Sequence, residues 1–363
     1  MTEQTGTQTP IELRSDNAAG VAPEILDAIA RANTGSALAY GGDAVTEELH
    51  TVVQEVFEHP GARVFPVTSG TAANALAISA ITPPWGAVLC HESAHILNAE
   101  GGATSLLGAG AVVKGLAGAN SLIDPASLQA ALDATRWGDP HHSQPSVLSF
   151  TQPSDRGAIY TPSELSELTA IAKTRDLRVH LDGARLANAV AALDCAPADV
   201  TWRAGVDVLS LGATKNGAIS SEAIVAFDER IAAELVYRTK RAGHVMSKMR
   251  FQSAQLIAYL TDGLWLRLAA NSNARMGEFV GGLAALEPYG VRLTNRPDVN
   301  LAFVELPEAA ADALESADVR YYRLGVERAR FVTSWQTTAD EITGVLGRLA
   351  SALVSDRPSS TAQ

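Results

Sequence analysis

The fold is decided by Val179-His180-Leu181-Asp182-Gly183-Ala184-Arg185, a short apolar run that ends in polar groups among small residues. A second stretch of the same kind, Leu209-Ser210-Leu211-Gly212-Ala213-Thr214-Lys215, places a lysine 33 residues (215 − 182) after the aspartate. Both apolar runs are typical of buried strands in a parallel sheet. We therefore expect Asp182 and Lys215 at the ends of two successive strands.

Strand and helix patterns alternate on either side of these two stretches. Apolar runs of strand length occur at residues 63–67, 87–90, 111–114, 147–151, 177–182, 206–211 and 224–227. Helical patterns lie between them, and two helix starts are marked by Asp124-Pro125 and by the capping box Thr161-Pro162-Ser163-Glu164. This alternation predicts an α/β fold with a mostly parallel, seven-stranded sheet covered by helices on both faces.

The pattern changes after about residue 248. A long helical stretch covers about residues 252–286, short strands follow at 291–293, 301–305 and 330–333, and a closing helix covers 339–354. This order is typical of a small α+β domain. We expect a flexible N-terminus at residues 1–12, a large domain at 13–248, a small C-terminal domain at 249–354 and a flexible tail at 355–363.

Composition excludes several classes of protein. The 363 residues and a hydrophobic fraction of 47% suffice for one large domain and a smaller one. A net charge of −12 argues against nucleic acid or an anionic membrane as a partner, and a charged fraction of only 19% suits a surface partly buried in an oligomer. The two cysteines, Cys90 and Cys195, give no disulfide framework and favour the reducing cytoplasm. No apolar run reaches about 18 residues and no signal-peptide pattern is found, so no membrane span is expected.

A phosphate site is predicted at Ser69-Gly70-Thr71, which lies between a strand pattern and a helix pattern. Backbone N–H groups at a helix N-terminus, joined by hydroxyl groups, can hold a phosphate, and Gly70 lets the backbone approach it closely. The alternative is an ordinary strand–turn–helix with a Ser or Thr cap. The segment matches neither the Walker pattern nor the dinucleotide-binding fingerprint.

The aspartate and the lysine complete a pattern typical of a pyridoxal phosphate site. Lys215 would form a Schiff base with the cofactor aldehyde, and Asp182 would hold the pyridine nitrogen protonated. Arg185 would face the cofactor's phenolic oxygen or a substrate carboxylate, or else pair with Asp182 across one helical turn. Lys215 taken alone is equally compatible with a solvated loop. The order of cradle, aspartate and lysine along the chain favours the cofactor site.

The segment His91-Glu92-Ser93-Ala94-His95 matches the HExxH pattern of zinc hydrolases. That pattern requires a helix with both histidines on one face and a third ligand downstream. Here a predicted strand leads directly into His91, and no HxxGxxH extension follows. We therefore expect no metal, and we expect His95 to stand over the pyridine ring. A histidine in the core or on the surface is the other interpretation.

A substrate carboxylate is expected to meet Arg330, which begins the apolar run Arg330-Phe331-Val332-Thr333. A fork-shaped guanidinium suits a carboxylate because it can donate two parallel hydrogen bonds. Arg323 and Arg328 are close in sequence and remain alternatives.

Taken together, these motifs resemble the low-specificity L-threonine aldolases, β-eliminating lyases within the fold-type I enzymes that use pyridoxal phosphate. The HxDGAR segment followed by the lysine is the specific part, and the others corroborate it. They extend over about residues 13 to 335 in the family's order. The matching segments are Leu13-Arg14-Ser15-Asp16-Asn17, Tyr40-Gly41-Gly42-Asp43, Ser69-Gly70-Thr71-Ala72-Ala73-Asn74, Ala94-His95, Glu100-Gly101-Gly102-Ala103, His180-Leu181-Asp182-Gly183-Ala184-Arg185, Thr214-Lys215-Asn216, Lys248-Met249-Arg250 and Arg330-Phe331-Val332-Thr333.

The resemblance assigns expected roles in cofactor binding. Lys215 is the Schiff-base lysine, and Asp182 pairs with the pyridine nitrogen. Gly70 and Thr71, beside Ser69, bind the phosphate. His95 stacks on the ring and is a candidate base.

Further expected roles concern the substrate and a neighbouring subunit. Ser15, Arg185 and Arg330 surround the substrate carboxylate. Arg250 resembles a basic residue that reaches the phosphate of a neighbouring subunit, since the family forms homotetramers, as dimers of dimers with shared sites. His141 resembles a second active-site histidine, although the adjacent His142 is an alternative.

Three segments depart from the family pattern. Gly42 replaces an aspartate, Thr151-Gln152-Pro153-Ser154 stands where many members have a Glu-Asn-Thr-His type of segment, and Asn216 replaces a glycine. These departures bear on substrate preference more than on the cofactor, because Lys215, Asp182 and the cradle are intact.

The expected reaction is the retro-aldol cleavage of L-threonine, L-allo-threonine and related β-hydroxy-α-amino acids to glycine and an aldehyde. The base that takes the hydroxyl proton would be His95 or His141, or a phosphate-bound water. A second hypothesis is β-elimination or dehydration of a hydroxy- or aryl-substituted amino acid. A third, from another class, is a zinc hydrolase that uses His91 and His95.

Overall fold

The computed structural model describes residues 10–325 and 328–355. Of the flexible ends expected from the sequence, residues 1–9 and 356–363 lie outside the described residues. Ile11 and Glu12, which were expected in the flexible N-terminus, form a short strand, and Ser355 is the last residue of the closing helix.

The strands are short, as expected for a sheet covered by helices. In chain order they are β1 (Ile11–Glu12), β2 (Arg63–Val67), β3 (Gly86–His91), β4 (Val112–Leu116), β5 (Gln144–Thr151), β6 (Arg178–Gly183), β7 (Val208–Leu211), β8 (Glu222–Ala226), β9 (Arg292–Leu293), β10 (Leu301–Glu305), β11 (Val319–Arg320), β12 (Tyr322–Arg323) and β13 (Arg328–Val332).

The α-helices alternate with the strands over most of the chain. They are α1 (Pro23–Ala32), α2 (Ala44–Val56), α3 (Gly70–Ile81), α4 (His95–Asn98), α5 (Ala103–Leu107), α6 (Pro125–Asp133), α7 (Pro162–Lys173), α8 (Leu186–Leu193), α9 (Glu229–Arg241), α10 (Arg250–Leu260), α11 (Leu264–Leu283), α12 (Glu308–Ser316) and α13 (Ala339–Ser355). The predicted capping box at the start of α7 is confirmed, because Thr161 Oγ1 accepts from Glu164 N and Glu164 Oε2 accepts from Thr161 N.

The large sheet has the strand order β2-β8-β7-β6-β5-β3-β4. β8 runs antiparallel to both of its neighbours, and β3 to β7 pair in parallel. The predicted α/β fold with a mostly parallel, seven-stranded sheet is confirmed. Because parallel strands end at the same edge of a sheet, the segments after β3, β5, β6 and β7 converge there, and β8 begins at that edge.

The helix α3 reaches this edge with its N-terminus. It is buried along most of its length, and its buried residues include Ala73, Ala75 and Ala77. Small side chains let a helix approach a sheet closely, so α3 packs directly on β6, β7 and β8. Its first turn is thereby fixed beside the ends of the strands that carry the predicted aspartate and lysine.

The C-terminal part forms a second core around a four-stranded antiparallel sheet in the order β12-β13-β10-β9. Phe279 on α11 and Phe331 on β13 are fully buried in this core. β1 pairs in parallel with β11, and Ile11 and Leu13 are buried in the same core. The start of the chain therefore packs with the small C-terminal unit, which the sequence did not indicate.

The long helix expected over about residues 252–286 is two helices, α10 and α11. The break lies at Asp262 and Gly263, whose φ angles of 52° and 67° are left-handed and cannot continue a helix. None of the helices in residues 10–325 and 328–355 is long and apolar enough to cross a membrane.

Candidate active site

A cavity of about 340 Å³ lies where the parallel strands end. This volume is in the range of small-molecule sites, about 300–1,000 Å³. The predicted site residues that line it are Ser69, Gly70, Thr71, His95, Asp182, Arg185 and Lys215. A larger hollow of about 540 Å³ lies between α1, α2, α10 and α11, and none of the predicted site residues lines it.

The phosphate cradle predicted at residues 69–71 occupies the N-terminus of α3. Ser69 caps the helix, and its side chain accepts a hydrogen bond from Ala72 N at 3.2 Å. The first helical bond runs from Ala73 N to Ser69 O, so the N–H groups of Gly70 and Thr71 precede it and have no helical partner. A Cβ atom on Gly70 would meet no atom within 4 Å, which leaves open space at this point for an anion.

Asp182 is buried at the end of β6 and is held on both of its oxygens. Oδ1 accepts from Ala184 N at 3.0 Å, and Oδ2 accepts from Asn74 Nδ2 at 2.9 Å. Asn74 lies on α3, one helical turn after the cradle, and its Nδ2 also donates to Glu100 Oε1 at 2.8 Å. A single amide therefore orients two buried carboxylates that face the cavity.

Glu100 in turn orients His95. His95 Nδ1 lies 2.8 Å from Glu100 Oε1, and since a carboxylate can only accept, the Nδ1 atom carries the proton. The hydrogen bond to Glu100 raises the pKa of His95, although burial opposes the shift. Glu100 Oε2 is buried and has no hydrogen-bond partner within the described residues. Nδ1 therefore keeps its proton, and Nε2 is the ring nitrogen left for a ligand.

Arg185 is paired with Asp16, a residue the sequence analysis quoted but gave no role. Arg185 Nε and Nη2 donate to the two carboxylate oxygens of Asp16 at 2.6 and 2.9 Å, and Asn300 Nδ2 adds a bond of 3.1 Å. Burial raises the pKa of Asp16, but the positive charge of Arg185 more than offsets this, so the pKa lies below its ordinary value. The alternative pairing of Arg185 with Asp182 across one helical turn is therefore wrong.

Lys215 lies in a 3₁₀ turn, Thr214–Asn216, that follows β7. The positive charge of Arg185, and then burial, lower the pKa of Lys215 and favour its neutral amine. Asn216, a departure from the family pattern, donates to Tyr259 Oη at 3.0 Å and to Trp265 O at 2.9 Å. Its side chain thus fixes the lysine turn to the helices behind it.

Four predicted residues do not line the cavity. Ser15 caps a short 3₁₀ turn through a bond from Asn17 N, and Arg330 lies on β13 with Nη2 donating to Arg14 O at 3.2 Å. Arg330 is nevertheless close enough to Arg185 and Asp16 to interact electrostatically, and burial lowers its pKa.

The other two lie further away. Arg250 begins α10, where Nη2 donates to Gly35 O at 3.4 Å. His141 is exposed in the turn before β5, at the opposite edge of the sheet from the cavity, and its backbone N donates to Asp139. Within one chain the structure does not bring His141 or Arg250 to the cavity.

The geometry of the HExxH segment does not suit zinc. His91 is the last residue of β3, with Nδ1 at 2.8 Å from Ser93 Oγ and Nε2 at 3.0 Å from Gly118 O. His95 begins a separate helix and is bonded to Glu100. The two imidazoles therefore do not share one helical face. Within the described part of the chain, no group of three or more metal-ligating side chains is found.

The donor set fits pyridoxal phosphate. The cavity offers helix N–H groups and hydroxyls for a phosphate, a buried carboxylate for a pyridinium nitrogen and a lysine with a lowered pKa for an aldehyde. Sequence reasoning gave no role to Asn74, Glu100 and Asp16. Asn74 had a usable signal, because it lies four residues after Gly70 and so shares a helical face with the cradle.

Known proteins are similar to this chain in sequence and in structure. A family model described as beta-eliminating lyase matches residues 12–309. Low specificity L-threonine aldolases from Pseudomonas sp. and Pseudomonas aeruginosa are each 38% identical, over 90% and 91% of this chain and 93% and 94% of their own lengths. The structure of a Leishmania major threonine aldolase superposes with a TM-score of 0.88 at 28% identity, covering 95% of this chain and all (100%) of that one. A structure of SPT with pyridoxal phosphate shares the fold, with a TM-score of 0.68 at 19% identity over 95% of this chain and 88% of that one.

Proposed function

The chain belongs to the beta-eliminating lyase family, and we propose that it cleaves L-threonine, L-allo-threonine and related β-hydroxy-α-amino acids to glycine and an aldehyde, with pyridoxal phosphate as cofactor. The observation that carries the proposal is the convergence of Lys215, Asp182 and the helix N-terminus at Gly70 on one cavity. The 38% identity to low specificity L-threonine aldolases supports this choice among the reactions of the fold.

The cofactor-holding residues have distinct tasks. The N–H groups of Gly70 and Thr71, with the Ser69 side chain beside them, hold the phosphate, and Asp182 keeps a proton at the pyridine nitrogen. Lys215 presents a neutral amine because its pKa is lowered. When bound, pyridoxal phosphate supplies an electron sink in conjugation with the substrate's Cα.

The substrate carboxylate is held by Arg330 and Arg185, with Ser15 beside them. Arg330 Nε is buried and has no partner within the described residues, so it offers an unused donor. Arg185 uses Nε and Nη2 for Asp16, which leaves Nη1 for a ligand. Holding the carboxylate in this way would orient the Cα–Cβ bond perpendicular to the plane of the cofactor ring. That orientation favours cleavage of the Cα–Cβ bond over decarboxylation.

His95 is proposed to cover the ring of the cofactor. Its side chain is 44% exposed toward the cavity, while Glu100 fixes Nδ1 from behind. The hydrogen bond from Nδ1 to Glu100 raises the pKa of His95 and leaves Nε2 as the ring nitrogen available to a ligand.

Product analysis tests the function. Purified holoenzyme is given L-threonine, L-allo-threonine and phenylserine, with D-threonine as the control, and glycine and aldehyde are quantified. We expect equal amounts of glycine and the matching aldehyde. Ammonia with a keto acid would support β-elimination instead and would overturn the proposal.

We propose that the active protein is a homotetramer in which neighbouring chains complete each other's sites, and that Arg250 reaches a neighbour's phosphate. Arg250 lies outside the cavity of its own chain, and its Nε is buried without a partner in the described residues. Exposed apolar side chains near the start of α10 suit contact with another copy, among them Tyr40 and Val236.

A mixing experiment tests the shared site. The variants Lys215→Ala and Arg250→Ala are each expected to be inactive or impaired alone. The two variants are mixed, dissociated into single chains and allowed to reassemble. If the sites are shared, the mixed assemblies regain about a quarter or more of the wild-type activity. Light scattering gives the number of chains, and mixtures no more active than their components would contradict shared sites.

We propose a cytoplasmic location, supported by two cysteines that form no disulfide. We propose a large cofactor-binding domain at residues 13–248 and a small domain at 249–354. The strand β1 packs with the small domain, because it pairs with β11.

A further inference from the structure

Asp155 lines the cavity, and neither the motifs nor the resemblance assigned it a role. It follows β5 by four residues, directly after the segment 151–154 that departs from the family pattern. The turn that carries it is held firmly: Ser154 Oγ donates to Asn120 O at 2.7 Å, and Ser154 N donates to Ala158 O at 2.8 Å. Asp155 is therefore placed in the cavity by a rigid support.

The Asp155 carboxylate makes no hydrogen bond or ion pair within the described residues, unlike Asp182 and Asp16. It nevertheless faces charged groups from three other elements, namely Asp182 on β6, His95 on α4, and Arg185 and Lys215 beyond β6 and β7. Burial, and then the charge of Asp182, raise the pKa of Asp155 to about 6, against the lowering effect of the three cations.

Two further titratable groups, Cys90 and Tyr160, lie close enough to Asp155 to interact with it electrostatically. Burial raises the pKa of the Cys90 thiol on β3 to about 12 and raises the pKa of Tyr160 well above its ordinary value. Both groups therefore stay neutral near pH 7. Arg156, the next residue along, points away and donates to Thr294 O at 2.7 Å.

The other candidate bases have other positions or tasks. His95, which bonds Glu100 through Nδ1, is proposed to cover the cofactor ring. His141 lies at the opposite edge of the sheet within this chain. Asp155 is an unpaired carboxylate in the cavity, and a group that titrates somewhat below working pH is an effective general base.

We propose that the Asp155 carboxylate is the base that takes the proton from the β-hydroxyl group of the substrate. The inference rests on the proposed function. As the O–H bond breaks, its electron pair forms the aldehyde C=O bond, and the pair of the Cα–Cβ bond stays with Cα. Cα gains one proton when glycine forms, and Asp155 gives up the one it took, so the net reaction consumes none.

The test compares two reactions of the holoenzyme, of which only the cleavage requires a hydroxyl proton to leave. Asp155→Asn is expected to lower kcat/KM for L-threonine about 100-fold or more. The affinity of Asp155→Asn for glycine, measured by the change in cofactor absorbance, should stay within about threefold of wild type. The same limit should hold for the rate at which the α-proton of glycine exchanges with deuterated water, measured by NMR. Glycine has no hydroxyl, so a role confined to that proton spares both.

The pH profile gives a second readout. Wild-type kcat/KM should fall on the acidic side near pH 6, and the Asp155→Asn profile should lack this limb. The kcat/KM of Asp155→Glu should be at least tenfold higher than that of Asp155→Asn. Asp176→Asn is the matched control, since Asp176 is exposed in a turn at the opposite edge of the sheet, with a φ of 54° that asparagine also adopts.

Three results would overturn the inference. Cleavage by Asp155→Asn within threefold of wild type would show that another base acts. A parallel loss of cleavage and glycine exchange would show that Asp155 holds the cofactor or the carboxylate instead. Wild-type protein that exchanges the α-proton of glycine but cleaves no β-hydroxy amino acid would refute the proposed function itself, and this shows in the wild-type measurements alone.

Discussion

The two sides of the cavity differ in how far their polar side chains are paired within the chain. On the β6 side, Asp182, Asn74, Glu100 and His95 form one continuous set of hydrogen bonds. On the β5 side, the Asp155 carboxylate has no such partner in the described residues. Groups that must hold a cofactor in one orientation benefit from being fixed beforehand. A group that exchanges a proton with each substrate must remain available.

The largest effect is expected from Lys215→Ala, because this variant lacks the amine to which the cofactor is proposed to attach. Cleavage and glycine exchange should both fall by about 10⁴-fold, and the yellow absorbance of the bound cofactor should be lost. Lys114→Ala, at an exposed position on the edge strand β4, is the control and should behave as wild type. Full cleavage by Lys215→Ala would end the proposed mechanism.

Asp182→Asn should reduce cleavage by about 10²- to 10³-fold, because the pyridine nitrogen loses its anionic partner. In contrast to Asp155→Asn, this variant should lower glycine exchange equally and weaken cofactor binding. Equilibrium dialysis of the cofactor and the glycine exchange rate measure both. If Asp182→Asn impaired cleavage alone, the distinction between the two sides of the cavity would fail.

Glu100→Gln is expected to reduce kcat/KM by about tenfold. The glutamine keeps the shape but removes the negative charge that raises the pKa of His95. The His95 imidazole should then titrate at a lower pH than in the wild-type protein, which NMR of the ring protons can follow. An unchanged His95 titration would mean that Glu100 does not control its protonation.

Stability should depend on His180, whose ring on β6 joins the neighbouring strands β5 and β7. Its ring bonds to Ser149 Oγ on β5 at 2.8 Å and Ser210 Oγ on β7 at 2.9 Å, and burial lowers its pKa to about 4. Between pH 6.5 and 4 the unfolded chain binds a proton that the folded protein does not. Stability should therefore fall as pH falls, by up to roughly 3 kcal/mol. Urea midpoints of wild type and His180→Gln from pH 7 to 4 check this, and the variant should show a shallower decline.

The smallest effect is expected from His141→Asn. His141 is exposed at the edge of the sheet opposite the cavity, so cleavage within one chain should change less than threefold. Initial rates with L-threonine decide the matter. A loss above tenfold would show that another copy of the chain carries His141 into the site, and would restore it as a candidate base.

Most of the large sheet could be predicted from the sequence, and so could the meeting of Lys215, Asp182 and residues 69–71 at one cavity. The apolar runs before Asp182 and Lys215 are buried strands because helices cover both faces of the sheet. The turn after each strand then has only one place to lie, at the carboxyl edge. Local patterns were sufficient here because hydrophobic period and the length of an apolar run are properties of neighbouring residues.

The sequence could not predict contacts between distant segments. Nothing near Asp16 indicates that it pairs with Arg185, 169 positions along the chain. The pairing of β1 with β11 likewise joins two segments that are far apart in sequence, and no local pattern indicates it. Asp155 followed a predicted strand but matched no motif, and its significance appears only when its charged neighbours are known.

The sequence by itself determined the α/β fold, the order of cradle, aspartate and lysine, and hence the class of cofactor. These follow from hydrophobic periodicity and from residue types that the chemistry requires. The tertiary structure alone decided which side chains are already paired, because hydrogen bonds and pKa values depend on groups that folding brings together. It placed Asn74 and Glu100 behind His95, turned Arg185 to Asp16, and left Asp155 unpaired in the cavity.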